Sequence, residues 1–529
     1  MSTNAHPMKL IAGLFSDKGL TRKAYLNAIT VVLDYGASLL VGFIVTPLMV
    51  AGLGNYLFGM WQVLNRLIGY ITPASGRPGF ALKATLANQQ ASTDYDQKRR
   101  YVGSTLVIWV IFLPLLTGLG GVVSWLVPSW VQAPAEYVWV VRAVAGLLVL
   151  NMIVDTLSSI PQVTLQGENL GYKRMGASIV LVLLGGGYTW LALFLKTSIV
   201  GVAAAVVLST LSTGIFYLWV VRTYTPWFGI AKPTRADVDQ MLSLSWWFMG
   251  WNLVTSLLLA SDVVVLGLLN SVESVTNYSL TKYVPETLIG VIVIVIFGIL
   301  PGLGSIIGTG DHERAIRLRD EINSFIWLTA TTLGAAILVW NPVFVGLWVG
   351  PDHFAGTLPN LLIIVSAMQL ALIRSDGNII DLTLRLSQKV LLGLLSVTVS
   401  VVAAAVLVGV FKGGIVGLVL GIMGGRLILS IGYPYLIGRF LGVQPAAQIR
   451  WMTRPMLATL GIFSVAALLA RWVSLPSGAD LTRWLAFLFF AALTGLAMLL
   501  LSFFAGLTGA QRQSVLRRIR AVLSTAERD

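Results

Sequence analysis

The sequence predicts an all-α polytopic membrane protein with fourteen transmembrane helices. Three observations carry this. Of 529 residues, 56% are hydrophobic and only 11% charged, against about 25% charged in a soluble domain. Mean hydropathy is +0.83, so the apolar excess runs through the whole chain. Such a chain in water would expose apolar patches everywhere and aggregate. Finally, Lys and Arg alternate in density from one polar joint to the next, as positive-inside topology demands.

The elements follow in chain order. Residues 1–23 place Lys9, Lys18, Arg22 and Lys23 around a short apolar patch, Leu10 to Phe15. A small-residue cleavage pattern is missing, so the segment reads as an amphipathic cytoplasmic stretch on the membrane rather than a signal peptide. A spanning helix needs about 20 apolar residues. The apolar stretches are 27–50, 56–74, 102–126, 137–160, 175–195, 198–221, 243–269, 275–300, 322–347, 358–382, 390–411, 413–437, 453–473 and 482–507. Residues 77–100 read as a polar connection. With the N-terminus in the cytoplasm, the cytoplasmic loops hold 27 Lys/Arg and the outer ones 4. Both termini are then cytoplasmic. This divides the chain into an N-lobe at 24–222 (spans 1–6), a cytoplasmic linker at 223–242, and a C-lobe at 243–440 (spans 7–12). Spans 13 and 14 follow at 441–509, then a cytoplasmic tail at 510–529. In the tail, Arg512, Arg517, Arg518 and Arg520 against Leu516, Ile519, Val522 and Leu523 predict an interfacial helix on anionic lipid.

Composition excludes several function classes. Net charge is +14. The charge is spread over loops rather than collected on one face, which argues for topology and against nucleic acid. With no cysteine and three histidines, thiolate chemistry, Fe–S clusters and Cys- or His-built metal sites are not expected. No cofactor is expected beyond H+ or Na+ as a coupling ion. A nucleotide-binding G-x-x-x-x-G-K-[ST] loop is absent, which disfavours an ATP-driven pump.

The chain looks duplicated at an offset of about 215–223 residues. Gly52-Leu-Gly-Asn55 recurs as Gly267-Leu-Leu-Asn270, and Trp125-Leu-Val-Pro128 as Trp348-Val-Gly-Pro351. Thr164-Leu-Gln166 recurs as Thr383-Leu-Arg385. A charged loop with Asp94, Asp96, Lys98, Arg99 and Arg100 precedes span 3. Its counterpart with Asp311, Glu313, Arg314, Arg317 and Arg319 precedes span 9. Six spans separate equivalents, so the halves form a parallel repeat about an axis along the membrane normal.

Several stretches resemble a known family. They are Pro47-Leu-Met-Val-Ala-Gly-Leu-Gly-Asn-Tyr-Leu-Phe-Gly59, Leu165-Gln-Gly-Glu-Asn-Leu-Gly-Tyr-Lys173, and Ser261-Asp262 with Tyr278. Together with spans arranged as six plus six plus two, they resemble the Wzx-type oligosaccharide-lipid flippases. These belong to the multidrug/oligosaccharidyl-lipid/polysaccharide (MOP) exporter superfamily. The resemblance covers roughly residues 24–440. It implies two six-helix lobes around a central cavity. It also implies transport of a polyprenyl-diphosphate-linked glycan across the bacterial inner membrane by alternating access, for surface polysaccharide biosynthesis. The implied partners are the lipid-linked glycan, membrane lipids and a polysaccharide polymerase.

The residues themselves point to transport through ionisable groups at membrane depth, each costing about 2.5–3.5 kcal/mol at a helix centre unless it faces a cavity or partner. Arg66 lies mid-span in span 2, and Lys282 at nearly the same spacing after Asn270 in span 8. Two such cations on facing lobes suit a diphosphate. The other reading is structural pairing of each cation with a carboxylate; Glu286, one turn from Lys282, and Asp262 are at hand. Arg374, Arg426 and Arg142 complete the candidate substrate contacts. Arg426 beside Gly424 and Gly425 also fits a helix-packing site, and Arg142 a snorkelling position. Asp34, Asp155, Asp262, Glu286 and Asp376 are the candidates for ion coupling or gating; ion pairing to a neighbouring helix is the alternative. Asp155 and Asp376 are repeat equivalents. Asp381 and Arg385 read as a helix-end salt bridge. Pro73 with Gly76 and Pro301 with Gly302 read as span ends, and Pro285 as a hinge. Trp246, Trp247 and Trp251 read as an interfacial belt or a sugar-stacking surface.

Two other functions compete. A proton- or Na+-coupled drug exporter has acidic and aromatic cavity lining, which the cations above argue against. A membrane glycan polymerase or ligase uses a sizeable charged outer loop, whereas the outer loops near 127–136 and 348–357 are short and nearly uncharged. The protein is therefore expected not to be an enzyme.

Overall fold

The computed structural model describes residues 20–174, 177–382, 386–473 and 479–517. The start of the expected surface segment at 1–23, Thr383 to Arg385, and Arg518 and Arg520 with the rest of the tail lie outside them, as do the side chains of Trp246 and Trp247. Among the described residues all regular structure is helical, and twelve helices are long and apolar enough to cross a membrane. Their outward faces carry exposed Leu, Val, Trp and Phe throughout. Only hydrocarbon can cover so much apolar surface.

By contacts the chain divides into two compact units, Met1–Leu268 and Leu269–Asp529. The first opens with α1 (Leu20–Gly69), which contains both expected spans 1 and 2. It is broken at Gly54, where φ is 73°; a side chain would be strained there. After α1 comes a single 3-10 turn, Thr72–Ser75, followed by Gly76 and Arg77, both left-handed. Pro73 and Gly76 thus end span 2 as expected.

A correction follows. Residues 78–88, expected as part of a polar connection, form a helix, α2 (Pro78–Asn88). Lys83 and the amides after it dilute the hydropathy. Ala81, Leu82, Thr85 and Leu86 nevertheless make one buried stripe at helical spacing. Leu82 packs in a core with Tyr101, Ile160 and Trp227.

The rest of the first unit is α3 (Tyr95–Trp130), α4 (Val138–Gly167), α5 (Ala177–Phe194), α6 (Ser198–Tyr224) and α7 (Arg235–Leu269). Asp94 caps α3 by accepting from Gln97 N at 2.9 Å, leaving fewer orphan amides at its start. The chain between α6 and α7 lies across α3 at Gly103, where an added Cβ would collide with the Ala231 carbonyl.

The second unit opens with α8 (Val272–Gly308). It runs on through Pro285 and Pro301, so the expected helix end at Pro301–Gly302 is not observed. Proline is tolerated within membrane helices when the freed backbone groups find other partners. Next come α9 (His312–Trp348), α10 (Thr357–Leu382), α11 (Leu386–Gly409) and α12 (Gly414–Leu441). Asp311 caps α9 as Asp94 caps α3, accepting from Arg314 N at 3.0 Å. Last are α13 (Pro445–Leu469) and α14 (Asp480–Gly506), which pack on α9. Ile462, Phe463 and Met498 meet Leu338 there, and Trp340 stacks on Phe490.

The closest helix approach described joins α11 and α12. A Cβ added at Gly421 or Gly425 would strike the backbone of Ala404 or Ser400. Ser396 Oγ donates to the Gly425 carbonyl at 3.0 Å. Glycines four residues apart let two backbones touch where no hydrophobic force holds helices together.

Candidate functional site

In the first unit, Arg66 is half-buried on the second half of α1. Tyr70, one turn on, is within electrostatic reach of both Arg66 and Asp262. Asp262 on α7 is buried and accepts from its neighbour Val263 N at 2.8 Å. The unit therefore groups Arg66, Tyr70 and Asp262. Asp34 on α1 accepts a hydrogen bond from Ser178 on α5. Asp155 on α4 is exposed, with Arg77 as the cation acting on it. Arg142 is stacked: its guanidinium lies 3.7 Å from the Trp125 ring and 5.3 Å from Trp139. Both are cation–π contacts.

The charged stretch at the start of α3 is a clasp. Buried Lys98 pairs with Glu168 at 2.8 Å, which explains the glutamate in the Leu165–Lys173 stretch. Arg99 Nε donates to the Trp227 carbonyl at 2.9 Å, and Arg100 pairs with Asp237 at 3.2 Å. Burial pushes the Asp237 carboxyl up, but hydrogen bonds from Thr234 and the charge of Arg100 outweigh it and hold it below the usual carboxylate range.

In the second unit, Lys282 pairs with Glu286 at 3.0 Å and lies 5.4 Å from the Tyr278 ring. Asp376 is bound by Arg319 at 3.1 Å, and Arg319 also donates to Gln448 at 3.0 Å. Arg374, two residues away on α10, points elsewhere; it is half-buried and has no hydrogen bond or ion pair among the described residues. Buried Arg426 donates to Ser366 at 3.0 Å, while Gln369 donates to the Met423 carbonyl at 3.1 Å. Gly425, not Gly424, makes the close packing beside Arg426. Asp381 pairs with Lys389 at 2.7 Å; Arg385, its expected partner, lies outside the described residues. The lysine comes from the next helix, a tertiary contact that helical spacing does not show.

Sequence reasoning missed Arg77, Lys389 and the role of Arg319. The first sits between Gly76 and Pro78, a helix-breaking context that was a readable signal. Lys389 and Arg319 look like loop charges by hydropathy. Their burial, 2% and 6% exposed, appears only in three dimensions.

A family model described as "Polysaccharide biosynthesis protein" matches residues 25–306. The chain belongs to this family. No curated protein matches the chain. Its fold is shared with solved transporters. One described as the lipid II flippase MurJ, in an inward closed conformation, aligns with a TM-score of 0.65 at 10% identity, over 90% of this chain and 98% of that one. An inward-facing multidrug resistance MATE family transporter of the MOP superfamily aligns at 0.63 with 16% identity, over 77% and 93%. An outward-facing multidrug resistance MATE family transporter of the MOP superfamily aligns at 0.54 with 16% identity, over 79% and 95%. This member of the polysaccharide biosynthesis family thus has the all-helical, multi-span fold of MOP-superfamily membrane transporters.

Proposed function

We propose that the protein is a flippase that carries a polyprenyl-diphosphate-linked oligosaccharide from the cytoplasmic to the outer leaflet of a bacterial inner membrane. The observation that carries this is the cationic set at membrane depth: Arg66, Lys282, Arg374 and Arg426. Among the described residues Arg374 has no ion pair to neutralise it, which suits an anionic head group entering from outside the protein. Membership in the polysaccharide biosynthesis family and a fold likeness to a lipid II flippase over 90% of the chain support the same reading.

In this proposal the chain has fourteen spans. Gly54 divides α1 into two of them, and α8 is another. Two six-helix lobes alternate access, and both termini are cytoplasmic. Arg66 and Lys282, at equivalent repeat positions, are each a diphosphate contact of their own unit, and Arg142 with its tryptophans is a further substrate contact. Coupling, by H+ or Na+, uses a carboxylate among Asp34, Asp155, Asp262, Glu286 and Asp376. No covalent chemistry is required, and a downstream polymerase takes the product.

The second reading is a proton- or Na+-coupled multidrug exporter, favoured by the likeness to MATE transporters. Deleting the gene separates the two. A flippase leaves lipid-linked precursor in the inner leaflet and strips surface polysaccharide. A drug exporter leaves polysaccharide intact and raises sensitivity to cationic drugs.

A further inference from the structure

Asp155 and Asp376 stand 221 residues apart, inside the repeat offset, yet their surroundings differ. Asp376 is locked by Arg319 at 3.1 Å. Asp155 is exposed and makes no hydrogen bond or ion pair among the described residues. Arg77, the cation within reach of it, likewise has no hydrogen bond or ion pair there, and its Nε is shut off from solvent with no acceptor. The Phe80 ring lies 5.0 Å from its guanidinium.

The backbone presents Arg77 at a cost. Its φ is 46°, a left-handed conformation unfavourable for a long side chain. Gly76 before it has φ 75°, and a Cβ there would meet the Phe112 ring at 2.6 Å. Beyond the break, Gly79 faces Ser159, one turn past Asp155 on α4, with 3.6 Å from its ideal Cβ to the hydroxyl. The helix break therefore sits beside the carboxylate. In the second unit, by contrast, α8 runs from Val272 to Gly308 as one helix. A strained residue and an unsatisfied donor both destabilise the fold, and among the described residues no hydrogen bond or ion pair of Arg77 offsets them.

We infer that Arg77 is a further substrate contact: its guanidinium takes diphosphate oxygens of the lipid-linked glycan, and Asp155 attracts that guanidinium when the site is empty. This rests on the flippase reading above. A diphosphate carries more charge than one carboxylate and offers bidentate geometry, so it displaces Asp155. Asp155 in turn repels the bound phosphates and speeds their release. Strong contact and ready release are both needed for turnover.

The test is binding of farnesyl diphosphate, a short soluble polyprenyl diphosphate, to the purified full chain in nanodiscs. Wild type should bind it. Arg77→Gln should weaken affinity about 10- to 100-fold, the range for a hydrogen bond to a charged group. Arg77→Lys should fall between, and Asp155→Asn should bind several-fold tighter. Equal affinity for wild type and Arg77→Gln overturns the inference while leaving the flippase reading standing. Should Arg77→Gln fail to fold, Asp155→Asn decides: unchanged or weaker binding overturns it. No binding of farnesyl diphosphate by wild type refutes the diphosphate reading itself, and the inference with it.

Discussion

At the scale of single residues, partners separate the charges into two kinds. Arg319 and Asp376 pair with one another, and Gln448 accepts from a further Arg319 donor. Replacing Asp376 with Ala strands a buried cation, which costs about 3–5 kcal/mol. The expected result is a large loss of thermal stability and of protein in the membrane. Asp155→Asn should leave both unchanged, because Asp155 makes no ion pair among the described residues. Thermal unfolding of the two variants side by side checks this. Arg66→Ala should keep normal abundance but stop export, Arg66→Lys should restore part of it, and Arg66→Glu should be worse than Ala. Measuring protein level and surface polysaccharide in the same cells distinguishes this from a structural role, in which abundance falls first. The membrane-depth charges themselves were legible in the sequence, because a charge in an apolar run stands out. Their partners were not: Arg319 finds Asp376 across 57 residues of chain, and Lys389 finds Asp381 across a helix connection.

At the scale of elements, the clasp at the start of α3 ties three segments together through Lys98, Arg99 and Arg100. Its pH dependence has a definite sign. The Asp237 carboxyl is held below its ordinary value, so it contributes stability above the unfolded carboxylate pKa and loses it as pH falls through the folded one. Melting temperature followed against pH should show wild type above Asp237→Asn at neutral pH, with the curves converging in acid. A gap that widens on acidification contradicts this.

The α11–α12 contact offers another element-level test. Gly425→Leu adds a side chain where even a Cβ would strike Ser400. Overpacking of this kind costs about 1–3 kcal/mol or more, so unfolding should shift down, while the same change at Gly424, which faces open space, should be mild. The sequence pointed to this glycine cluster through Gly424 and Gly425, but which of them touches α11 depends on helix rotation. Helix α2 shows the opposite failure. The helix is only eleven residues long, too short for a hydropathy window tuned to membrane spans.

At the scale of the whole molecule, membrane insertion was legible from composition alone, since hydrocarbon is the only solvent for such a surface. The sequence reading of an internal repeat pairs the loop at Asp94 with that at Asp311, and each of these residues caps the helix that follows it. What periodicity leaves out is asymmetry: a broken segment after α1 against a continuous α8, and an open Asp155 against a locked Asp376. The central claim is translocation of a lipid-linked glycan diphosphate. Its most direct measurement uses the purified protein in proteoliposomes carrying a fluorescent polyprenyl-diphosphate oligosaccharide. An impermeant glycosidase or lectin outside reports how much lipid has reached the outer leaflet. Protein-containing vesicles should expose the glycan far faster than empty ones, and Arg66→Ala vesicles should match the empty rate. Equal exposure with and without the wild-type protein, in vesicles where it is folded, would contradict the flippase account.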